Sequence, residues 1–145
     1  MLDAPRWAVE LLATARVARL ATSGTDGQPL VVPVCYVVDG DRLYWAVDAK
    51  PKRTRALRRL RDIAANPRVS LIVDVWDEDW RQLRWVRVDG TATALVEGDE
   101  RTRALAALTA KYPQYATMQL AETAGAVVAI TPARAMAWRG DEETA

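Results

Sequence analysis

The chain has 145 residues, half of them apolar, with 20 basic and 19 acidic side chains and a formal net charge of +1. That length and apolar content predict one folded domain over residues 1–145 with its own core, and they exclude a disordered chain. Having no histidine and a single cysteine, Cys35, the chain lacks the parts for Ser-His-Asp or Cys-His catalysis, His-bearing zinc sites, His-ligated haem and an intrachain disulfide.

In chain order, APRWAVELLATA reads as a helix, with Pro5 suited to its first turn and Trp7, Leu11 and Leu12 on one side. RVARLAT follows with Val17 and Leu20 near strand spacing. Asp26-Gly27, inside SGTDGQP, is the strongest hairpin signal in the chain. LVVPVCYVV, Leu30 to Val38, is β-branched and apolar and reads as one strand. Pro33 inside it cannot donate to a ladder, which places it at an edge, a bulge or a ligand. Cys35 in the same run reads as a small buried hydrophobe.

DGD turns the chain into RLYWAVD, Arg42 to Asp48, a further strand. PKRTRALRRLRDIAAN reads as a helix ended by Pro67. RVSLIVDVW, Arg68 to Trp76, is the next strand, and DEDWRQ a polar loop. LRWVRVDGTATALV, Leu83 to Val96, is a long strand with a bend at Asp89-Gly90. GDERTRALAALTAKYP is an amphipathic helix with an acidic cap and Ala104, Leu105 and Leu108 inward. QYATMQL gives a short helical turn, AVVAITPARAMAWRG the last strands, broken at Pro132, and DEETA a frayed end. Five or more strands joined by short turns, without βαβα alternation, predict a mainly β, α+β fold: an antiparallel barrel with peripheral helices.

The charge is segregated. Asp48 to Arg61, DAKPKRTRALRRLR, carries Lys50, Lys52, Arg53, Arg55, Arg58, Arg59 and Arg61. Without those seven cations, 13 basic residues face 19 acidic ones. On the helix, Leu57, Leu60, Ile63 and Ala64 form the apolar stripe, and Arg55, Arg58 and Arg59 point away over solvent. Arg53 falls on the inward stripe, four residues before Leu57. A buried guanidinium needs an anion, and the first turn of a helix already favours one. With Lys50, Lys52 and Thr54 beside it, Arg53 marks either a phosphate pocket or a salt bridge to one of the chain's own carboxylates.

No GxGxxG, no GxxxxGK[ST] and no EF-hand spacing is present, so no P-loop and no metal site is expected. No apolar run approaches the ~20 residues of a membrane helix. Lacking disulfides and a leader pattern, the chain is expected in the cytoplasm. The cations have no interleaved aromatic residues between Lys50 and Arg61, which argues against nucleic acid.

The succession RVARLATSGTDGQPLVVPVCYVVDGDRLYWAVDAKPKRTRALRRLRDIAANPRVSLIVD, followed by WVRVDGTATAL, resembles the pyridoxamine 5'-phosphate oxidase-like split-barrel superfamily, and within it the branch that uses the deazaflavin coenzyme F-420. The resemblance covers about Ala15 to Val96 and, more weakly, the C-terminal strands. It implies a six- to seven-stranded antiparallel split β-barrel, a homodimer, and two cofactor sites at the subunit interface. The family's phosphate-binding turn falls on Lys50, Lys52, Arg53 and Thr54, with Asp48 just before it. Its ring-contacting strand falls on Leu30, Val31, Val32, Pro33 and Val34. Trp80 and Trp85 are the candidates for aromatic residues lent by the second subunit. The missing histidine departs from the pattern of the vitamin-forming oxidases.

The resemblance thus implies an oxidoreductase that passes a hydride from F-420 to a small, conjugated, electron-poor molecule. A flavin mononucleotide (FMN) oxidoreductase and a flavin-binding protein without turnover are the alternatives. The protein's task in such a reaction is positioning, and the cofactor carries the chemistry. No residue is singled out as catalytic. Tyr36, Tyr44 and Thr22 are the hydroxyls considered as proton donors, and strand packing is the expected role of each.

Overall fold

The computed structural model describes residues 2–47 and 53–141, except for the side chains of 53–57. Among these residues it has seven strands and five α-helices. They are α1 (Arg6–Thr14), β1 (Ala18–Ser23), β2 (Pro29–Val34), β3 (Val37–Asp39), β4 (Arg42–Ala46), α2 (Arg53–Ala65), β5 (Arg68–Val75), β6 (Arg84–Leu95), α3 (Asp99–Lys111), α4 (Gln114–Thr117), α5 (Leu120–Thr123) and β7 (Val127–Arg139). The strands form one antiparallel sheet in the order β2-β1-β5-β6-β7-β4-β3, curled into a split barrel.

Period-two alternation sets the faces. Leu20 of β1 lies opposite Leu71 of β5, which is followed inward by Val73, while Val86 and Val88 of β6 complete the same buried layer. Ala8 and Leu12 of α1 plug this core, and Trp7 and Leu11 only flank it. The expected α1 stripe is therefore rotated by one residue. Each fully buried Leu or Val contributes about 1.5–3 kcal/mol. A second cluster lies where α3 and α5 cover Tyr44, Val127 and Ala129, and there Ala104, Leu105 and Leu108 face inward as their spacing predicts.

The run from Leu30 to Val38 is two strands, not one. β2 ends at Val34 and β3 starts at Val37, and the two go to opposite edges of the sheet. Tyr36 makes the break. Its buried ring sits between helices, its hydroxyl donates to the Leu12 carbonyl, and its N–H donates to the Tyr112 hydroxyl at 3.2 Å. The chain reverses its facing around Tyr36, so Cys35 is turned out and exposed, contrary to the buried position expected for it.

Other boundaries shift for local reasons. Val17 is exposed and Ala18, Leu20 and Thr22 carry the inner face of β1. Asp26-Gly27 does turn the chain, with Gly27 at φ 75°. α3 has no acidic side-chain cap: Gly98, at φ 101°, is the N-cap, and Asp99 and Glu100 lie in the first turn, where they suit the helix dipole. Pro132 does not break the last strand. β7 runs through it, because Pro132 faces Gly90 at a register shift that leaves Ala133 of β7 without a partner on β6.

Candidate functional site

β2 lies at the end of the sheet order, paired with β1 and with no strand on its other side among the described residues. That is the place a strand proline tolerates, and Pro33 is opposite Arg19. Leu30 and Val32 stand on the inner side, opposite Thr22 and Leu20. Val31, 65% exposed, and Pro33 face outward. The strand thus presents an apolar outer surface beside an open backbone edge.

The basic turn follows β4. Asp48, Lys50 and Lys52 lie outside the described residues. Arg53 and Thr54 open α2, and their side chains lie outside the description as well. The first turn of α2 contains no acidic residue, so the positive end of its dipole is not offset within the helix.

Further along α2, Ile63 is buried and Leu60 half-buried as the stripe predicts, but Ala64 is exposed. Arg58 is exposed as expected. Arg59 does not point away: its guanidinium lies over the Trp45 ring, 5.4 Å from the centroid. Trp45 is 2% exposed, and its indole Nε1 finds no acceptor among the described residues. A buried donor without an acceptor is costly, and this one stands on β4 shortly before the basic turn. The i+2 spacing of Leu43, Trp45 and Val47 is the sequence signal for a buried Trp45, but nothing in the sequence signals that Arg59 bends back onto it. At its other half α2 is fixed by a close approach: a Cβ on Gly24 would lie 2.5 Å from Asp62 Oδ1.

Trp80 sits on a short 3-10 turn (Trp80–Gln82) and is 68% exposed. Trp85 is half-buried on the outer face of β6, opposite Asp74 of β5 and Trp138 of β7. β1 and β5 separate β6 from β2 in the sheet, a span of about 14 Å at the usual strand spacing. Within one chain, then, neither tryptophan is brought to the β2 edge.

The Tyr36 and Tyr44 hydroxyls are committed elsewhere, and Thr22 is buried. Burial pushes the Tyr36 phenol far above its ordinary value, and Tyr112 adds to the effect. The Tyr44 hydroxyl donates to Glu100 Oε1 at 3.1 Å, beside the Arg42–Glu100 ion pair; burial and then Glu100 raise its pKa. Thr22 is 5% exposed on the inner side of β1. No group of three or more His, Cys, Asp or Glu residues able to hold a metal occurs among the described residues. No helix among them is long and apolar enough to cross a membrane.

The sequence pattern of the family described as pyridoxamine 5'-phosphate oxidase matches residues 5–139. A curated relative, the 5a,11a-dehydrotetracycline/5a,11a-dehydrooxytetracycline reductase of Streptomyces rimosus subsp. rimosus, is 36% identical over 86 residues, a match that spans 59% of each chain. Among solved structures, a conserved hypothetical protein, Rv2991, from Mycobacterium tuberculosis superposes with a TM-score of 0.73 at 22% identity, covering 99% of this chain and 92% of the other. A structure described as an F420 reductase superposes with a TM-score of 0.63 at 22% identity, covering 92% of this chain and 98% of the other.

Proposed function

Because this chain belongs to the pyridoxamine 5'-phosphate oxidase family, we propose that it is an oxidoreductase that binds the deazaflavin coenzyme F-420 and reduces a small, conjugated, electron-poor molecule. The observation that carries the reading is the open β2 edge, whose exposed Val31 and Pro33 offer a flat ring an apolar seat and unpaired backbone. The likeness to a reductase over more than half the chain supports the reaction class.

The residues present fit such a group. Leu30, Val31, Val32 and Pro33 would seat its ring. Lys50, Lys52, Arg53 and Thr54 would hold its phosphate at the start of α2, where charge-assisted donors and the helix dipole act together, with Asp48 just before them in the sequence. The Trp45 indole N–H, buried without an acceptor near that turn, is a further donor. When bound, the reduced deazaflavin supplies the hydride. This chain's own residues bind and orient the reactants and exclude water, and the gain in rate comes from proximity in a dry site.

The protein acts as a homodimer in this reading. Trp80 and Trp85 stand too far from their own β2 to serve it, and each would close the site of the second copy. Exposed tryptophan is costly in a monomer and suits an interface. An FMN-dependent oxidoreductase is the second reading, since a ring on β2 and a phosphate at the basic turn describe both groups.

Turnover tests the proposal. Under anaerobic conditions the purified protein, reduced F-420 and a panel of conjugated enones are mixed, and coenzyme reoxidation is followed by its absorbance. Protein-dependent reoxidation by at least one enone is expected. Reoxidation only with reduced FMN would transfer the reading to the flavin, and none with either would overturn it.

A further inference from the structure

On the outer face of the sheet, at the end of β5 that follows α2, lies a cleft of about 530 Å³ lined by residues that the reading above does not use. We infer that it is a second anion-binding site, in which Arg68 and Arg134 take the carboxylate of a molecule whose apolar body rests on the sheet.

The cleft is built around Asp89. Its carboxylate accepts from Ser70 Oγ at 2.7 Å, from Arg87 Nε and Nη2 at 3.0 and 3.2 Å, and from Arg134 Nε at 2.9 Å. These donors outweigh the desolvation of the group and hold it at about 2, so Asp89 stays ionised and fully occupied. Arg134 is gripped through Nε alone. Its terminal nitrogens make no described bond, and its side chain is 71% exposed. Asp89 therefore fixes the stem of Arg134 and leaves the fork free.

Arg68, one strand away on the same face, is exposed and makes no side-chain hydrogen bond or ion pair among the described residues. Asn66 Oδ1 accepts from the Arg68 backbone N–H at 3.2 Å, which leaves the Asn66 amide N–H₂ as another donor on the rim. Asp89 is shared by two guanidinium groups, Arg87 and Arg134, and Arg68 adds a third cation to the same cleft, so the local excess is positive. Ala21, Pro29, Gly90 and Ala133 line the rest of the cleft with small apolar surface.

A planar carboxylate matches a guanidinium fork through two parallel bonds, which a hydrated halide cannot do. The carboxylate has two sources: a separate small molecule, or the acidic tail of the deazaflavin under the reading above. α2 spans about 20 Å from the basic turn to Asn66, so a second anchor at this distance would hold an extended ligand at both ends.

The test reads the arginine Nε–Hε signals of the full chain by NMR as benzoate is added at constant ionic strength, with inorganic phosphate in parallel. Saturable shifts at Arg68 and Arg134 are expected. Arg68→Gln and Arg134→Gln should each weaken benzoate at least fivefold, and Arg103→Gln, on exposed α3 surface, should not. Shifts that never saturate, an equal loss in Arg103→Gln, or phosphate binding as tightly as benzoate would overturn the assignment. Arg68→Gln, which removes an exposed side chain, keeps the test valid if Arg134→Gln disturbs the sheet.

Comparing F-420 with its tailless form then names the source. If Arg68→Gln weakens only the tailed coenzyme, the carboxylate is the coenzyme's; if it weakens neither, the site serves a separate small molecule. No saturable benzoate binding by the unaltered chain, with its F-420 binding intact, would sink this inference and leave the proposed function standing.

Discussion

Gly90 of β6 and Pro132 of β7 stand opposite each other at the register shift of the longest ladder in the sheet. A Cβ on Gly90 would lie 2.4 Å from the Thr131 carbonyl oxygen, a backbone atom that cannot swing away. Pro132 brings no N–H to the ladder, and Gly90 lets the strands close in without one. Gly90→Ala should therefore cost ~1–3 kcal/mol, the scale of overpacking a tight site, measured by urea unfolding. A change below ~0.5 kcal/mol would show that the strands yield freely at this point.

The two α2 arginines should separate cleanly. Arg53→Ala should weaken F-420 binding about tenfold or more, the scale of a lost hydrogen bond to a charged group. Arg59→Ala should leave affinity within about twofold but alter the Trp45 emission, because its guanidinium lies over that ring, and lower stability by ~0.5–1 kcal/mol. Equal losses of affinity would mean that the stretch acts only as a diffuse positive field.

Asp89 gives a signature at acid pH. Its pKa is depressed to about 2 in the folded protein, below the ordinary carboxylate value of about 3.9. Its contribution to stability is thus fully present above pH 4 and lost as pH falls toward 2. Asp89→Asn should lower stability at pH 7 and flatten its decline between pH 4 and 2. Parallel wild-type and mutant curves across that window would refute the role of the Arg87–Asp89–Arg134 group.

Lys111 gives the opposite signature at alkaline pH. Its ammonium donates to the Tyr36 carbonyl at 2.9 Å and lies 4.1 Å from the centre of the Tyr36 ring. Burial first, then the nearby Arg16, lower its pKa to about 8, while Cys35 opposes them. The unfolded chain therefore holds the proton longer, and stability should rise from pH 8 to 10. Lys111→Met should abolish that rise. Thermal unfolding at pH 7, 8, 9 and 10 decides it, and a rise that persists in the variant would assign it elsewhere.

Much of this architecture was legible in the chain because local signals agreed with the global ones. Asp26-Gly27 turns where a hairpin was due, Pro67 ends α2, the β6–β7 register shifts at Asp89-Gly90, and the buried side of α3 follows its spacing. The misreadings share one cause: a tertiary contact outweighed a local pattern. Tyr36 splits one apolar run because Leu12 of α1 and Tyr112, just past α3, hold it from 24 and 76 residues away. Pro132 stays in its strand because a glycine 42 residues earlier accommodates it. Arg59 leaves its solvent position for an aromatic face.

The candidate site was legible only in part. Pro33 at an edge followed from its missing donor. The outer cleft did not, since Arg68, Asp89 and Arg134 come together through strand register and no spacing along the chain reveals it.

A tryptophan-fluorescence titration of the purified protein, with F-420 and FMN in parallel, decides between the two cofactors. The proposed F-420 binding gives saturable quenching by F-420 at markedly lower concentration than by FMN, with Arg53→Ala shifting the F-420 curve to higher concentration. Tighter binding of FMN, or no saturable response to either, would contradict it.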